Sequence, residues 1–311
     1  MKTALPRRSF LTRTLAAGTA AAALPARRVR AVTAGPAPSI TVRTLGTGAA
    51  DHDWKRIGEP GVRGSAATLI DGHVLIDCGT TGYTNLTRFD IPPRALTDLL
   101  ITHSHGDHFA PDQIFNVLEA RGPDLPPLGI WASPQALATL ARAQPGRFAA
   151  HPLVAGTVFD VGRLHVTALP ANHLLPDPSE QALHFLIETP CGTLLYALDG
   201  AWLLKQARLL IGKRRLDMII WDATVAHSGD FRAFEHNDLA MIGLMMASLT
   251  TTGAADSRTV CVLDHIARTL WPADPQEAEK LASDRGWTLA ADGVPLHLRR
   301  APQQRVPAVM P

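Results

Sequence analysis

Cysteine is scarce. Cys78, Cys191 and Cys261 are the only three in 311 residues, and no Cys-x-x-Cys occurs. One disulfide would leave a thiol over, so cysteine marks no functional site. Cys78 and Cys261 stand in apolar, strand-like runs and read as small buried hydrophobes. Aromatic residues make up 5% of the chain, so aliphatic side chains must fill the core. Charged residues are 19% against 46% hydrophobic, a balance that excludes a disordered or collagen-like chain. No repeat and no low-complexity tract is found beyond the N-terminal segment.

Acidic residues are absent from the first 34 positions, which hold Lys2, Arg7, Arg8, Arg13, Arg27, Arg28 and Arg30. Without this segment 23 basic residues face 28 acidic ones, a net charge of −5; a cut after Ala26 gives −2. The body of the chain is mildly acidic, which excludes a non-specific polyanion binder. Arg7-Arg8-Ser9-Phe10-Leu11 is a twin-arginine pattern, followed by an uncharged, Ala-rich run over 14–26. That run is too short to span a bilayer, and small residues at Ala26, Ala31 and Ala34 offer cleavage sites. The expectation is a twin-arginine signal peptide over 1–34, cut between about 26 and 34. A periplasmic or secreted hydrolase domain over 35–311 would remain, exported by the twin-arginine machinery and without stable membrane anchoring.

The rest reads as β-rich hairpins with interspersed helices, twice over. Strands are expected at 39–45, 66–70, 74–76, 99–102, 128–132, 164–169, 183–188, 193–198, 218–221 and 259–263, with short ones near 288 and 296. Hairpins turn at Asp71-Gly72 and Pro190-Cys191-Gly192. Helices are expected from a cap at Asp112 to Arg121, from Pro134 to Ala143, over 203–211, from a cap at Asn237 or Asp238 to about Leu249, and over 275–285. This order favours two mixed sheets packed face to face with helices outside.

One hexapeptide dominates: His103-Ser104-His105-Gly106-Asp107-His108, three imidazoles and a carboxylate where an apolar strand ends. Imidazole and carboxylate suit Zn²⁺, with manganese or iron as alternatives. Four ligands from one loop cannot serve two metals alone. His173, Asp199 and His265 each follow an apolar strand-like run and complete the set. Taken singly, each is an ordinary loop residue.

The signature His103-x-His105-x-Asp107-His108, with His173, Asp199, His265 and the strand-ending Asp77, resembles the metallo-β-lactamase superfamily over residues 40–270. The resemblance implies an α/β fold, the four-layer αββα sandwich, with two divalent metal ions between the sheets. His103, His105 and His173 would hold one metal, Asp107, His108 and His265 the other, and Asp199 would bridge them. Asp107 counts among the catalytic residues as well as the ligands. A bridging carboxylate points to phosphodiesterases, thioesterases and lactonases rather than true β-lactamases.

The segment Glu235-His236-Asn237-Asp238-Leu239 follows Asp222-Ala223-Thr224. It resembles the phosphoribosyl cyclic phosphate phosphodiesterases and ribonuclease Z, where a histidine in this interval assists phosphodiester cleavage. His236 is therefore expected to be catalytic, against the plainer reading of a surface histidine capping a helix. Asp222 either orients that imidazole or merely ends a strand, and His227 reads as a loop residue. The Cys-rich structural-zinc loop of the phosphodiesterases is absent from 49–64, where Lys55, Arg56 and Arg63 read as solvated. No basic, Gly-rich arm for tRNA is present.

The expected activity is hydrolysis of a small phosphodiester, cyclic ones included, by a hydroxide held between the metals with His236 assisting. The substrate is a small molecule and no nucleic acid is bound. A metal-dependent acyl hydrolase of lactonase, thioesterase or β-lactamase type is the alternative, and a non-catalytic metal-binding protein is a third reading.

Overall fold

In the computed structural model, residues 39–300 are described; the signal peptide read in residues 1–34 lies outside them. β1 (Ile40–Gly46), β2 (Ala67–Ile70), β3 (Val74–Ile76), β4 (Asp98–Leu100), β5 (Leu128–Ala132) and β6 (Phe148–Pro152) belong to one sheet. The next seven strands build a second sheet: β7 (Val158–Val161), β8 (Leu164–Pro170), β9 (Leu183–Thr189), β10 (Gly192–Ala197), β11 (Met218–Asp222), β12 (Val260–Asp264) and β13 (Thr288–Leu289). β14 (Pro295–Leu298) returns to the first sheet and pairs with β1, Ile40 opposite Leu298.

Both sheets are mixed. The hairpin from β2 to β3 turns through Asp71 and Gly72 at φ 54° and 78°, the left-handed pair that an Asp-Gly sequence adopts readily. From β3 to β6, and again from β10 to β13, neighbours run parallel. β11 is buried along its whole length, as the continuous apolar run of a central parallel strand requires.

Helices cover the outer faces. α1 (Gly82–Arg88), α2 (Pro111–Arg121) and α3 (Pro134–Ala143) pack on the first sheet, Leu86, Ile114 and Leu140 meeting Leu75, Leu99 and Ile130. α4 (Lys205–Ile211), α5 (Leu239–Thr251) and α6 (Pro275–Ser283) cover the second, Ile211, Ile242 and Ala282 meeting Leu195, Ile219 and Leu263. Between the sheets Val42, Ile76 and Leu100 pack against Val166, Phe185, Ile220 and Val262. The result is the expected αββα sandwich with a largely aliphatic core. The three cysteines are buried and free.

Some element ends differ from the sequence reading. Ala110, not Asp112, precedes the first turn of α2; Pro111 needs no N–H partner at a helix start, and Asp112 lies inside the first turn, where its charge suits the helix dipole. Asp238 caps α5, accepting the Met241 N–H at 2.7 Å. α1, β6 and β7 are additional elements.

A candidate dinuclear metal centre

β8, β10, β11 and β12 all end at one edge of their sheet, because β9 runs antiparallel to both β8 and β10 while β10 to β12 are parallel. Ligands in open α/β sheets gather outside such strand ends. His173, Asp199 and His265 follow β8, β10 and β12, and the loop after β4 brings His103, His105, Asp107 and His108 from the other sheet. All seven residues expected as ligands converge there.

Backbone contacts fix the hexapeptide loop. Cys78 N–H donates to the His108 carbonyl at 2.8 Å, and Ala110 N–H to the Cys78 carbonyl at 2.9 Å. Gly79 is needed for this approach: a Cβ there would lie 1.9 Å from the Asp107 carbonyl oxygen. Two clasps join the sheets beneath the cluster. Leu183 N–H meets the Thr102 carbonyl at 3.0 Å, and Ile266 N–H the Thr47 carbonyl at 2.8 Å. Asp77, Asp199 and His265 all have positive φ, 61°, 51° and 59°. Each costs about 1–3 kcal/mol and persists only where the surroundings over-determine it; three such residues at one centre are typical of a functional site.

The seven expected ligands form two quartets sharing Asp199, and a third group joins Asp199 and His265 to Asp222 and His236. In the first, His103 Nε2 lies 3.1 Å from His105 Nδ1, His105 Nδ1 2.9 Å from His173 Nε2, and both Nε2 atoms 3.3 Å from Asp199 Oδ2. In the second, His265 Nε2 lies 3.2 Å from His108 Nε2, 3.3 Å from Asp107 Oδ2 and 2.9 Å from Asp199 Oδ1. The edges of a tetrahedral site with zinc–nitrogen bonds of about 2.1 Å are about 3.4 Å, so the spacing suits a metal.

The outward nitrogens carry the same message. His108 Nδ1 donates to Asp77 at 2.8 Å and His173 Nδ1 to the Glu235 carbonyl at 3.3 Å. His103 Nδ1 donates to Thr102 Oγ1 at 3.0 Å, and that hydroxyl donates to Asp77. His265 Nδ1 donates to Thr224 Oγ1 at 2.7 Å, and that hydroxyl donates to Asp222. With Nδ1 protonated, each Nε2 points a lone pair inward, the tautomer a metal-binding histidine needs. Asp199 Oδ1, buried, has no hydrogen-bond donor.

The charges call for a cation. Burial would raise the Asp199 pKa, yet the surrounding imidazoles hold it well below the usual carboxylate range. Burial would lower His265, but Asp199 and its neighbours raise it to about 10. His103 and His173, governed by burial, are lowered to about 4. Positive charge is thus favoured between buried carboxylates, and a divalent ion held there would provide it in place of a proton.

His236 lies beside this cluster. Its Nδ1 donates to Asp222 Oδ2 at 2.8 Å and sits 4.0 Å from Asp199 Oδ1. Burial opposes the charged imidazole, but the Asp222 carboxylate prevails and raises its pKa. Asp222, completely buried, also accepts the Gly200 N–H at 3.1 Å, so it does more than end a strand. A cleft of about 540 Å³ opens over His105, Asp199, His236 and His265, with Arg232 and Glu235 on its wall.

The reading of 49–64 needs one correction. Lys55 and Arg56 are exposed, but Arg63 is anchored internally, donating to Thr47 Oγ1 and to the Ala290 carbonyl at 2.5 and 2.6 Å. His227 is exposed, as expected of a loop residue. Sequence reasoning gave no role to Thr102, Thr224 or Glu180. Glu180 accepts hydrogen bonds from Ser104, inside the hexapeptide, and from Ser133 at 2.6 Å. Lone hydroxyls and a loop glutamate carry no spacing that distinguishes them from ordinary surface residues.

A four-layer sandwich with this His/Asp cluster at its strand ends defines the class as metal-dependent hydrolases. The chain belongs to the beta-lactamase superfamily, whose domain model matches residues 73–266. No curated protein matches the sequence at a significant level. Among solved structures, human tRNase Z, short form, is 19% identical with a TM-score of 0.61, covering 84% of this chain and 100% of its own. A diphosphatase from the PhnP family is 18% identical with a TM-score of 0.64, covering 85% and 99%. Zn²⁺-bound PqqB from Methylobacterium extorquens is 18% identical with a TM-score of 0.64, covering 82% and 99%. At these identities the likeness is one of fold.

Proposed function

We propose that the protein is an exported, dinuclear metal-dependent phosphodiesterase acting on small phosphodiesters, cyclic ones among them. The observation that carries this reading is His236. Seven other residues suffice for the two metal quartets, yet a further imidazole lines the same cleft with Nδ1 fixed by a buried carboxylate.

Phosphodiester cleavage needs charge stabilisation on the phosphoryl oxygens and a proton for a poor alkoxide leaving group. His103, His105, His173 and Asp199 would hold one cation, and Asp107, His108, His265 and Asp199 the other. Two such ions, zinc with manganese or iron as alternatives, would supply Lewis-acid charge and an activated water near neutral pH. His236, whose protonated form Asp222 favours, gives its Nε2 proton to the leaving oxygen. Asp222 holds the ring so that Nε2 is the atom facing the substrate. Acyl transfer with a good leaving group asks for no such donor.

The twin-arginine segment supports export to the periplasm or medium through that machinery, and the mildly acidic body supports a small-molecule substrate over nucleic acid. The test uses protein from about residue 35, loaded with Zn²⁺ or Mn²⁺, on bis(p-nitrophenyl) phosphate beside a chromogenic cephalosporin and a lactone. Chelator-sensitive phosphodiester turnover is expected. Acyl hydrolysis alone would overturn the reading.

A further inference from the structure

Large exposed apolar side chains stand within one to three positions of residues that line the cleft. The turn Phe231–Phe234 leaves its two phenylalanines 73% and 84% exposed, while Arg232 between them and Glu235 and His236 after them line the cleft. Leu174, 72% exposed, follows His173, whose Nδ1 meets the Glu235 carbonyl at 3.3 Å. Leu174 and Phe234 are therefore each one residue from the same junction. Trp202 stands three residues beyond Asp199, 43% exposed, at φ 59°, a conformation that bulky residues rarely adopt. Its backbone N–H donates to Asn237 Oδ1 at 2.8 Å, beside His236. Single exposed apolar residues are ordinary, but four on the segments that carry one site call for an explanation.

We propose that Leu174, Trp202, Phe231 and Phe234 form a wall for an apolar arm of the substrate, so that the preferred phosphodiesters are amphiphilic. The phosphate lies over the metal cluster and the alkyl or aryl ester arm lies against the wall. Arg232, stacked on Phe231 at 5.0 Å and paired with Asp230 at 3.0 Å, lines the cleft beside them. The occupant is the substrate rather than a bilayer because the wall is carried by the same three segments that carry His173, Asp199 and His236. This inference deepens the phosphodiesterase reading and rests on it for the position of the phosphate.

The test titrates metal-loaded protein calorimetrically with methylphosphonate and octylphosphonate, which share the anion and differ in the arm. Each buried methylene adds about fourfold in affinity, so a preference of about tenfold or more for the octyl compound is expected. In Phe231→Ser/Phe234→Ser the preference shrinks several-fold; Leu174→Ser gives an independent reading if the double variant melts early. Equal affinities in the wild type, no octylphosphonate binding, or a preference unchanged in both variants overturns the wall. So does sedimentation with phosphatidylglycerol vesicles without chain-length preference in solution, which would make the patch a membrane surface. A chain-length preference in a protein that hydrolyses no phosphodiester would support the wall and overturn the reaction, so the two failures are distinguishable.

Discussion

Asp222 Oδ2 accepts the His236 Nδ1 proton at 2.8 Å, and Asp222 Oδ1 accepts the Thr224 hydroxyl that receives His265 Nδ1 at 2.7 Å. One buried carboxylate thus orients the proposed proton donor and a proposed metal ligand together.

Asp222→Asn keeps the shape and removes the charge. A fall in kcat of about 10²–10³ on phosphodiesters with alkoxide leaving groups is expected. Asp222 raises the His236 pKa, so the protonated imidazole survives to higher pH in the wild type. Without the carboxylate the basic limb of the pH–rate profile moves to lower pH. An unmoved limb would show that this pair does not set the proton donor.

Asp199 is common to both quartets. The purified holoprotein should carry two metal ions per chain by elemental analysis after dialysis, and Asp199→Ala less than one, whereas His173→Ala should retain one. Binding to the folded chain alone stabilises it by about 4 kcal/mol at a thousandfold excess over Kd, which raises Tm by about 10 °C for a domain of this size. Two tightly held ions in Asp199→Ala, or a Tm indifferent to chelator, would contradict the shared-ligand arrangement.

Much of this centre was legible in the sequence because its ligands sit where apolar strands end. The hexapeptide follows β4, and His173, Asp199 and His265 follow β8, β10 and β12, each a local signal. The supporting contacts were not legible, since they join residues far apart in the chain. Glu180 reaches Ser104 across 76 positions, and Ile266 clasps Thr47 across more than two hundred. The pairing of β14 with β1 is non-local in the same way. α1 was missed because Gly-Tyr-Thr-Asn offers weak helix formers and no apolar period. β6 was missed because it is a partly exposed edge strand, and it ends at Pro152.

Gly79→Ala should destabilise the protein by about 3 kcal/mol, because its Cβ would meet the Asp107 carbonyl at 1.9 Å. At Gly106, in the same loop, a Cβ meets nothing within 4 Å, so Gly106→Ala should leave Tm nearly unchanged. Equal melting shifts for the two would contradict the close approach of the two loops.

Replacing Arg7 and Arg8 with lysine should keep the chain in the cytoplasm with its leader attached, read by fractionation and intact mass. Wild-type protein should lose its first 26 to 34 residues on export. Unaltered export of the variant would remove the twin-arginine route.

The most direct test of the reaction compares wild type and His236→Ala on two phosphodiesters, one releasing p-nitrophenolate and one an alkoxide. A general acid matters most for the basic leaving group, so the variant should lose about 10²–10⁴ in kcat/KM on the alkoxide ester and far less on the nitrophenyl ester. Equal losses on both, or none on either, would contradict proton donation by His236.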